Sequence, residues 1–186
     1  HTRYPLVTGV QTCALPIFPD HEIRRLCQQH NMVVPYREEL LNPASLDVRL
    51  GDRIMIEQED GPDLQIVGLC EYTQAEPFLI HPGEWFLAET QEIFNLPNHV
   101  GAQFALKSSR AREGWTHALA GWCDPGWYGS RLTMELKNNR NYQSLPIWPG
   151  MKIGQLKFLL VSGTPERNYA EVGRYNADLA VTASKG

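Results

Sequence analysis

Along residues 120–138, AGWCDPGWYGSRLTMELKN, apolar Leu132, Met134 and Leu136 alternate with Thr133, Glu135 and Lys137. A period of two puts one set of side chains on the core face of a β-strand and the other set on the opposite face. The strand follows Asp124-Pro125-Gly126, a turn in which Pro presets one corner and Gly tolerates the other. The same alternation, Leu46, Val48 and Leu50 against Asp47 and Arg49, predicts a strand that ends at a Gly51-Asp52 turn, with residues 53–57 running on beyond it. Further strands are predicted at 78–80, 84–90, 100–106, 116–122, 131–137 and 151–161, separated by turns such as HPG (81–83), LPN (96–98) and WPG (148–150). Only residues 20–31 carry a helical period. Ile23, Leu26 and Cys27 make an i, i+3, i+4 face there, with Asp20 placed to cap it.

Many short strands at this spacing predict an all-β sandwich or jelly roll. There is no internal repeat and no low-complexity segment. Residues 164–186, TPERNYAEVGRYNADLAVTASKG, carry neither the helical nor the strand period and read as an extended arm that either stays loose or closes over something.

At 186 residues the chain can bury one sizeable core. A formal net charge of −4 argues against a general nucleic-acid polymer or membrane-surface binder, because neither polyanion would be attracted overall. A small anionic ligand needs only a local cluster of cations. Cys13, Cys27, Cys70 and Cys123 are far apart and form no CxxC pair, so free thiols in a reducing, cytoplasmic setting are expected. No apolar run approaches the roughly 18 residues of a membrane span. Residues 7–17, VTGVQTCALPI, resemble a translated sequencing-library adapter. Residues 1–17 are accordingly expected to be foreign to the fold, with the β domain over 18–163 and the arm over 164–186.

Candidate chemistry is weak when each piece is taken alone. KSSRAREG (107–114) reads as one helical turn with Ser108 or Ser109 as cap, and its Lys107, Arg110 and Arg112 suit an anion; a solvated surface turn satisfies the same pattern. Glu135 is an unusual strand residue, yet a strand Glu is more often solvated than catalytic. No histidine pair has metal-ligand spacing, and His81 in HPGE lacks the PCxxC partner of a zinc deaminase. The five tryptophans suit a core or an interface better than a base-stacking platform.

In order along the chain, PASLDVRLG (43–51), HPGEWFLAET (81–90), SSRAREG (108–114), AGWCDPGWYG (120–129), LTMELKN (132–138) and PGMKIGQLKF (149–158) resemble the dCTP deaminase family. The resemblance implies a dUTPase-like distorted β-barrel or jelly roll with one N-terminal helix and a short helical turn at the active site. It also implies a metal-independent deaminase, working as a homotrimer with sites between subunits, in which Mg²⁺ enters with dCTP or dUTP rather than in a protein cage. Glu135 matches the family's general acid/base. Ser108 and Arg112 match the residues supporting the hydrolytic water and the polarised base, and Ala120 the residue whose carbonyl helps hold that water. Lys107, Ser108, Ser109, Arg110, Ala111 and Arg112 are implied to meet the phosphates and Asp124 the sugar. Thr133 and Met134 are implied to read the cytosine edge through their backbone, and Gln155 matches the glutamine of GMKIGQL. Tyr169, Arg174 and Asp178 fall in the lid.

Three positions depart from the family pattern. Lys107 replaces an Arg and loses its bidentate fork. Arg110 stands in place of an apolar residue. Asp178 replaces a lid glutamine and would repel a triphosphate. The chemistry needs water attack at C4 of cytosine, a proton on N3 and protonation of departing ammonia, which one buried carboxylate can shuttle. The first reading is therefore deamination of dCTP to dUTP. Its nearest rival is a bifunctional enzyme that continues to dUMP and diphosphate. A pure dUTPase does not account for Glu135, and a non-catalytic nucleotide-binding regulator does not account for the complete set Glu135, Ser108 and Arg112.

Overall fold

The computed structural model describes residues 16–59 and 61–186. Helix α1, Asp20–His30, buries Ile23, Leu26 and Cys27 on the predicted face. Asp20 is its first residue rather than its cap: extended Pro19 precedes it, and the Pro19 carbonyl accepts from the amides of Glu22 and Ile23. Asn31 ends the helix in the left-handed region (φ 50°), and the Met32 amide turns back onto the Leu26 carbonyl at 3.3 Å.

The rest is β-structure. β1 (Val33–Val34) and β2 (Leu41–Asn42) are short edges. β3 (Ser45–Ile56), β4 (Gln65–Gly68), β5 (Phe78–Ile80), β6 (Trp85–Asn95) and β7 (Val100–Leu106) follow. Helix α2 (Ser108–Glu113) leads to β8 (Trp115–His117), β9 (Trp122–Cys123), β10 (Tyr128–Asn138), β11 (Leu145–Ile147) and β12 (Lys152–Leu160), and a final turn of helix, α3 (Tyr169–Val172), lies in the arm. The main sheet runs β8-β10-β6-β3-β12-β7-β9, with β1 on β6 and with β2 and β4 on β3; β5 and β11 form a separate ribbon. The sheet curls into a half-barrel around Leu46, Val48, Leu50, Ile54, Phe86 and Phe158, all fully buried. The all-β, dUTPase-like expectation matches this architecture.

Local differences from the sequence reading have physical causes. Gly51-Asp52 is a bend inside β3, not a chain reversal. Up to Arg49 the strand pairs with β12, from Arg53 it pairs with β4, and its register on β6 shifts between Leu50 and Ile54. A strand that changes partner needs one irregular position, not a turn. The single strand predicted at 116–122 is two pieces on different partners: β8 joins β10 and β9 joins β7, with Leu119 at φ 63° between them. The arm is not purely extended, since the Asn168 side chain caps α3 by accepting from the Glu171 amide at 3.1 Å.

Residues 1–15, most of the segment expected to be foreign, lie outside the described residues. Pro16 and Ile17 are described and touch the sheet. The Leu160 amide donates to the Pro16 carbonyl (3.1 Å), and Ile17 bridges Leu159. The truncation that tests the adapter reading therefore ends at residue 15. Removing residues 1–15 is expected to leave melting temperature and turnover unchanged, as thermal denaturation and a rate assay on the shortened chain will check.

Candidate active site

Strand β10 builds the site by alternation. Met134 and Leu136 are buried in the core, whereas Arg131, Thr133 and Glu135, with the edge of the largely buried Leu132, line a cavity of about 770 Å³. Leu87 of β6, in register with Glu135, adds apolar wall. Ala120 comes from the loop after β8, Trp122 from β9 and Asp124 from the turn before β10, and Tyr169, Tyr175, Asp178 and residues 182–184 cover the cavity from the arm.

The turn is type II, as its residues predict. The Trp127 amide donates to the Asp124 carbonyl at 3.2 Å, and Gly126 takes φ 83° at the corner where only Gly sits without strain. The Asp124 carboxylate accepts from Trp122 Nε1 at 2.9 Å, which fixes its direction. Glu135 is half-buried, and loss of solvation pushes its carboxyl above the ordinary carboxylate range, partly offset by its own backbone amide. Its carbonyl accepts from the Ala118 amide at 3.2 Å, tying the loop that carries Ala120 to the strand that carries the carboxylate. Cys123 also lines the cavity, but burial pushes its thiol up to about 12, so it stays protonated near neutrality.

Backbone alternation separates the two residues expected to read the base. The Arg131 amide donates to the Asp178 carbonyl and the Glu135 carbonyl accepts from Ala118, so this edge of β10 faces the arm and the loop. Thr133 shares that direction by period two, and β8 covers β10 only from Leu136 to Asn138, so the Thr133 backbone faces the cavity. Met134 does not. Its side chain is in the core, and its backbone lies on the β6 side, opposite Ala88.

The remaining predicted residues lie apart, and none of Lys107, Ser108, Ser109, Arg110, Ala111, Arg112 or Gln155 lines this cavity. Neither serine caps α2 with its side chain, because Lys107 occupies the cap position. Lys107 Nζ sits 2.6 Å from both carboxylate oxygens of Asp47, and Gln155 Oε1, on the neighbouring strand, accepts from Ser45 Oγ at 2.8 Å. Arg110 pairs with Glu113 at 2.6 Å, so it does not stand in for the missing arginine fork. Ser108, Ser109, Ala111 and Arg112 are exposed. One chain thus presents two groups of predicted site residues rather than one assembled site.

In the arm, Tyr169 and Asp178 line the cavity, whereas Arg174 is exposed and lends only its carbonyl to Lys185 Nζ. The repulsion expected of Asp178 is relieved, since both its oxygens accept from Lys185 Nζ at 2.8–2.9 Å. The sequence reading missed Arg131, Trp122, Leu87, Tyr175 and residues 182–184. Arg131 alone carried a signal, sharing the alternation of Thr133 and Glu135. Among the described residues, no group of three or more His, Cys, Asp or Glu is placed to hold a metal ion.

A curled antiparallel sheet with a carboxylate-bearing cavity under a C-terminal arm places the protein in the dUTPase-like fold class. The crystal structure of 2'-deoxycytidine 5'-triphosphate deaminase from Agrobacterium tumefaciens superposes with a TM-score of 0.60 at 20% identity, covering 79% of this chain and 48% of that one, a likeness of fold. A family model described as dCTP deaminase-like matches residues 17–161. A protein from Corynebacterium efficiens is 34% identical over 91% of this chain and 94% of its own length, and one from Clavibacter michiganensis is 40% identical over 81% and 80%. Both are named "dCTP deaminase, dUMP-forming". The chain belongs to the dCTP deaminase-like family.

Proposed function

We propose that the protein is a bifunctional dCTP deaminase that converts dCTP, carried with Mg²⁺, to dUMP, ammonia and diphosphate. Family membership makes it a deaminase enzyme; the dUMP-forming names of its relatives favour the second activity over the plain dCTP-to-dUTP reading preferred from the sequence. The observation that carries the deaminase step is the half-buried Glu135, its carboxyl raised by burial, beside the cavity-facing backbone of Thr133 and beneath the arm.

Glu135 removes a proton from water as it attacks C4 and delivers it to N3; it then takes the C4 hydroxyl proton of the tetrahedral adduct and passes it to the amino group, which leaves as ammonia. A carboxyl lifted toward neutrality suits both halves of that cycle. The Thr133 backbone reads the base edge and Asp124, held by Trp122, meets the sugar. Water attack on the dUTP so formed, at the phosphorus nearest the sugar, gives dUMP and releases diphosphate.

Ser108 and Arg112 are exposed and outside this chain's cavity, which supports a homotrimer in which they complete the cavity of a neighbouring subunit. There Arg112 stabilises the charge developing on the base. Among the described residues no helix is long and apolar enough to cross a membrane, and a cytoplasmic enzyme of nucleotide metabolism is the setting we infer.

Incubation with dCTP and Mg²⁺, resolving ammonia, dUTP, dUMP and diphosphate, tests the reading. Equal yields of ammonia, dUMP and diphosphate are expected. Accumulation of dUTP as the end product would return the protein to simple deamination, and absence of ammonia would overturn the deaminase assignment.

A further inference from the structure

Two carboxylates of β6, Glu89 and Glu92, are fully buried, and they are satisfied in different ways. Glu92 is matched within the sheet: Arg49 Nε lies 2.7 Å from one oxygen, and the Arg49 amide donates to the other at 2.9 Å. From the sheet Glu89 has Arg53 Nε, at 3.3 Å and half-exposed, and the neighbouring Asp52 carboxyl. Its closest partner is the Val181 amide of the arm, at 2.6 Å. The next arm amide, Thr182, donates to Thr133 Oγ1 at 3.2 Å. Thr133 and Glu89 are register partners across β10 and β6, so successive amides of the arm dock onto one cross-strand pair. Gly51 makes room for this, since a Cβ there would lie 2.5 Å from Glu89 Cγ.

We propose that Glu89 is a positioning residue that docks the C-terminal arm, holding residues 182–184 in place as the cavity wall. Its acceptor oxygen is satisfied by the sheet only in part, so arm and carboxylate each supply what the other lacks on burial. The docking itself is independent of the reaction, while its consequence for nucleotide affinity rests on the deaminase reading.

The groups facing Glu89 are Asp52 and Arg53 of β3, Arg131 of β10 and the Val181 amide of the arm. Burial and the neighbouring Asp52 carboxyl raise its pKa, against the lowering effects of Val181, Arg53 and Arg131. The arm's own contact, the Val181 amide, favours the charged acceptor.

The test compares Glu89→Met, which keeps an unbranched buried chain without the acceptor, with Glu89→Gln, which restores an acceptor and cannot ionise. Trypsin cleavage after the exposed Arg174 is followed by mass on the intact protein without nucleotide, alongside KM and kcat for dCTP. Glu89→Met is expected to be cut about tenfold faster, the scale of one buried hydrogen bond lost. Its KM should rise by a smaller factor with kcat within about twofold, because KM follows the loss of the docked fraction whereas cleavage follows the gain of the open one. Glu89→Gln, which keeps an acceptor for the Val181 amide, should lie closer to the parent than Glu89→Met on both measures. Unchanged cleavage in Glu89→Met, or equal loosening by Met and Gln, would overturn the proposal. Faster cleavage with an unchanged KM would uphold docking and overturn the arm's share in nucleotide binding. Should Glu89→Met fail to fold, Val181→Pro, which removes the donated amide and leaves the sheet unchanged, decides: it must be cut faster than the parent by a similar factor, and unchanged cleavage overturns the proposal.

Discussion

Glu135→Gln is expected to lower turnover by about a hundredfold or more, the usual scale for losing general acid–base catalysis. Glutamine keeps the size and hydrogen-bonding capacity of the side chain but cannot take and return a proton. Binding of dCTP should survive, because the phosphate contacts are assigned to residues 107–112 and the arm rather than to the strand. The variant should be no less stable. Burial raises the Glu135 carboxyl, so the protonated form's contribution to stability is present below the ordinary carboxylate range and is lost as the group ionises with pH rising through the raised value. An amide has no charge to desolvate. Single-turnover deamination, dCTP affinity and melting temperature on one preparation separate these effects. A variant that still deaminates near the parent rate would move the catalytic group elsewhere, with Asp124 the next candidate.

Arg112→Ala is expected to cost roughly a hundredfold in kcat/KM, the scale of removing one group that stabilises charge developing in a desolvated site. Arg37→Ala, an exposed change outside the site, should cost almost nothing, since its ion pair with Glu39 spans 3.8 Å in solvent. The exposed position of Arg112 adds a sharper expectation. If Arg112 serves a neighbour's cavity, unfolding and reassembling Glu135→Gln chains with Arg112→Ala chains at equal ratio gives mixed trimers. About a quarter of their sites then carry an intact pair by random assortment. Two nearly inactive proteins should therefore recover about a quarter of parent turnover, with a light-scattering mass of three subunits. No recovery would place Arg112 and Glu135 in one chain's site, and equal kinetic losses from Arg112→Ala and Arg37→Ala would remove Arg112 from the site altogether.

Several features were legible in the chain because their causes are local. The α1 face, the type II turn at Asp124 and the in–out alternation of β10 each depend on residues within a few positions of one another. That alternation already set Glu135 on the face opposite the core. The sequence reading went wrong where a segment's conformation depends on a distant partner. Gly51-Asp52 has the composition of a turn, yet β3 continues through it, because β12 holds the strand on one side of the bend and β4 on the other. Residues 116–122 have the composition of one strand, yet two different neighbours claim its ends. Met134 lies one residue from the catalytic candidate, and that single step of alternation turns both its side chain and its backbone away from the cavity.

The sequence by itself determined the all-β class, the core face of β10, the carboxylate opposite it and, through its ordered motifs, the family. Each is written in residue types at short spacing, where backbone geometry leaves little choice. Only the tertiary structure decided which of those residues share a cavity. It folded the arm onto Glu89 and Thr133, neutralised Asp178 with Lys185, engaged Lys107 with Asp47, and left Arg112 pointing to solvent. Apart from Asp178–Lys185, which lies within the arm, these pairings join groups tens of residues apart. Burial and charge compensation select them once the sheet has curled, and no local pattern encodes them.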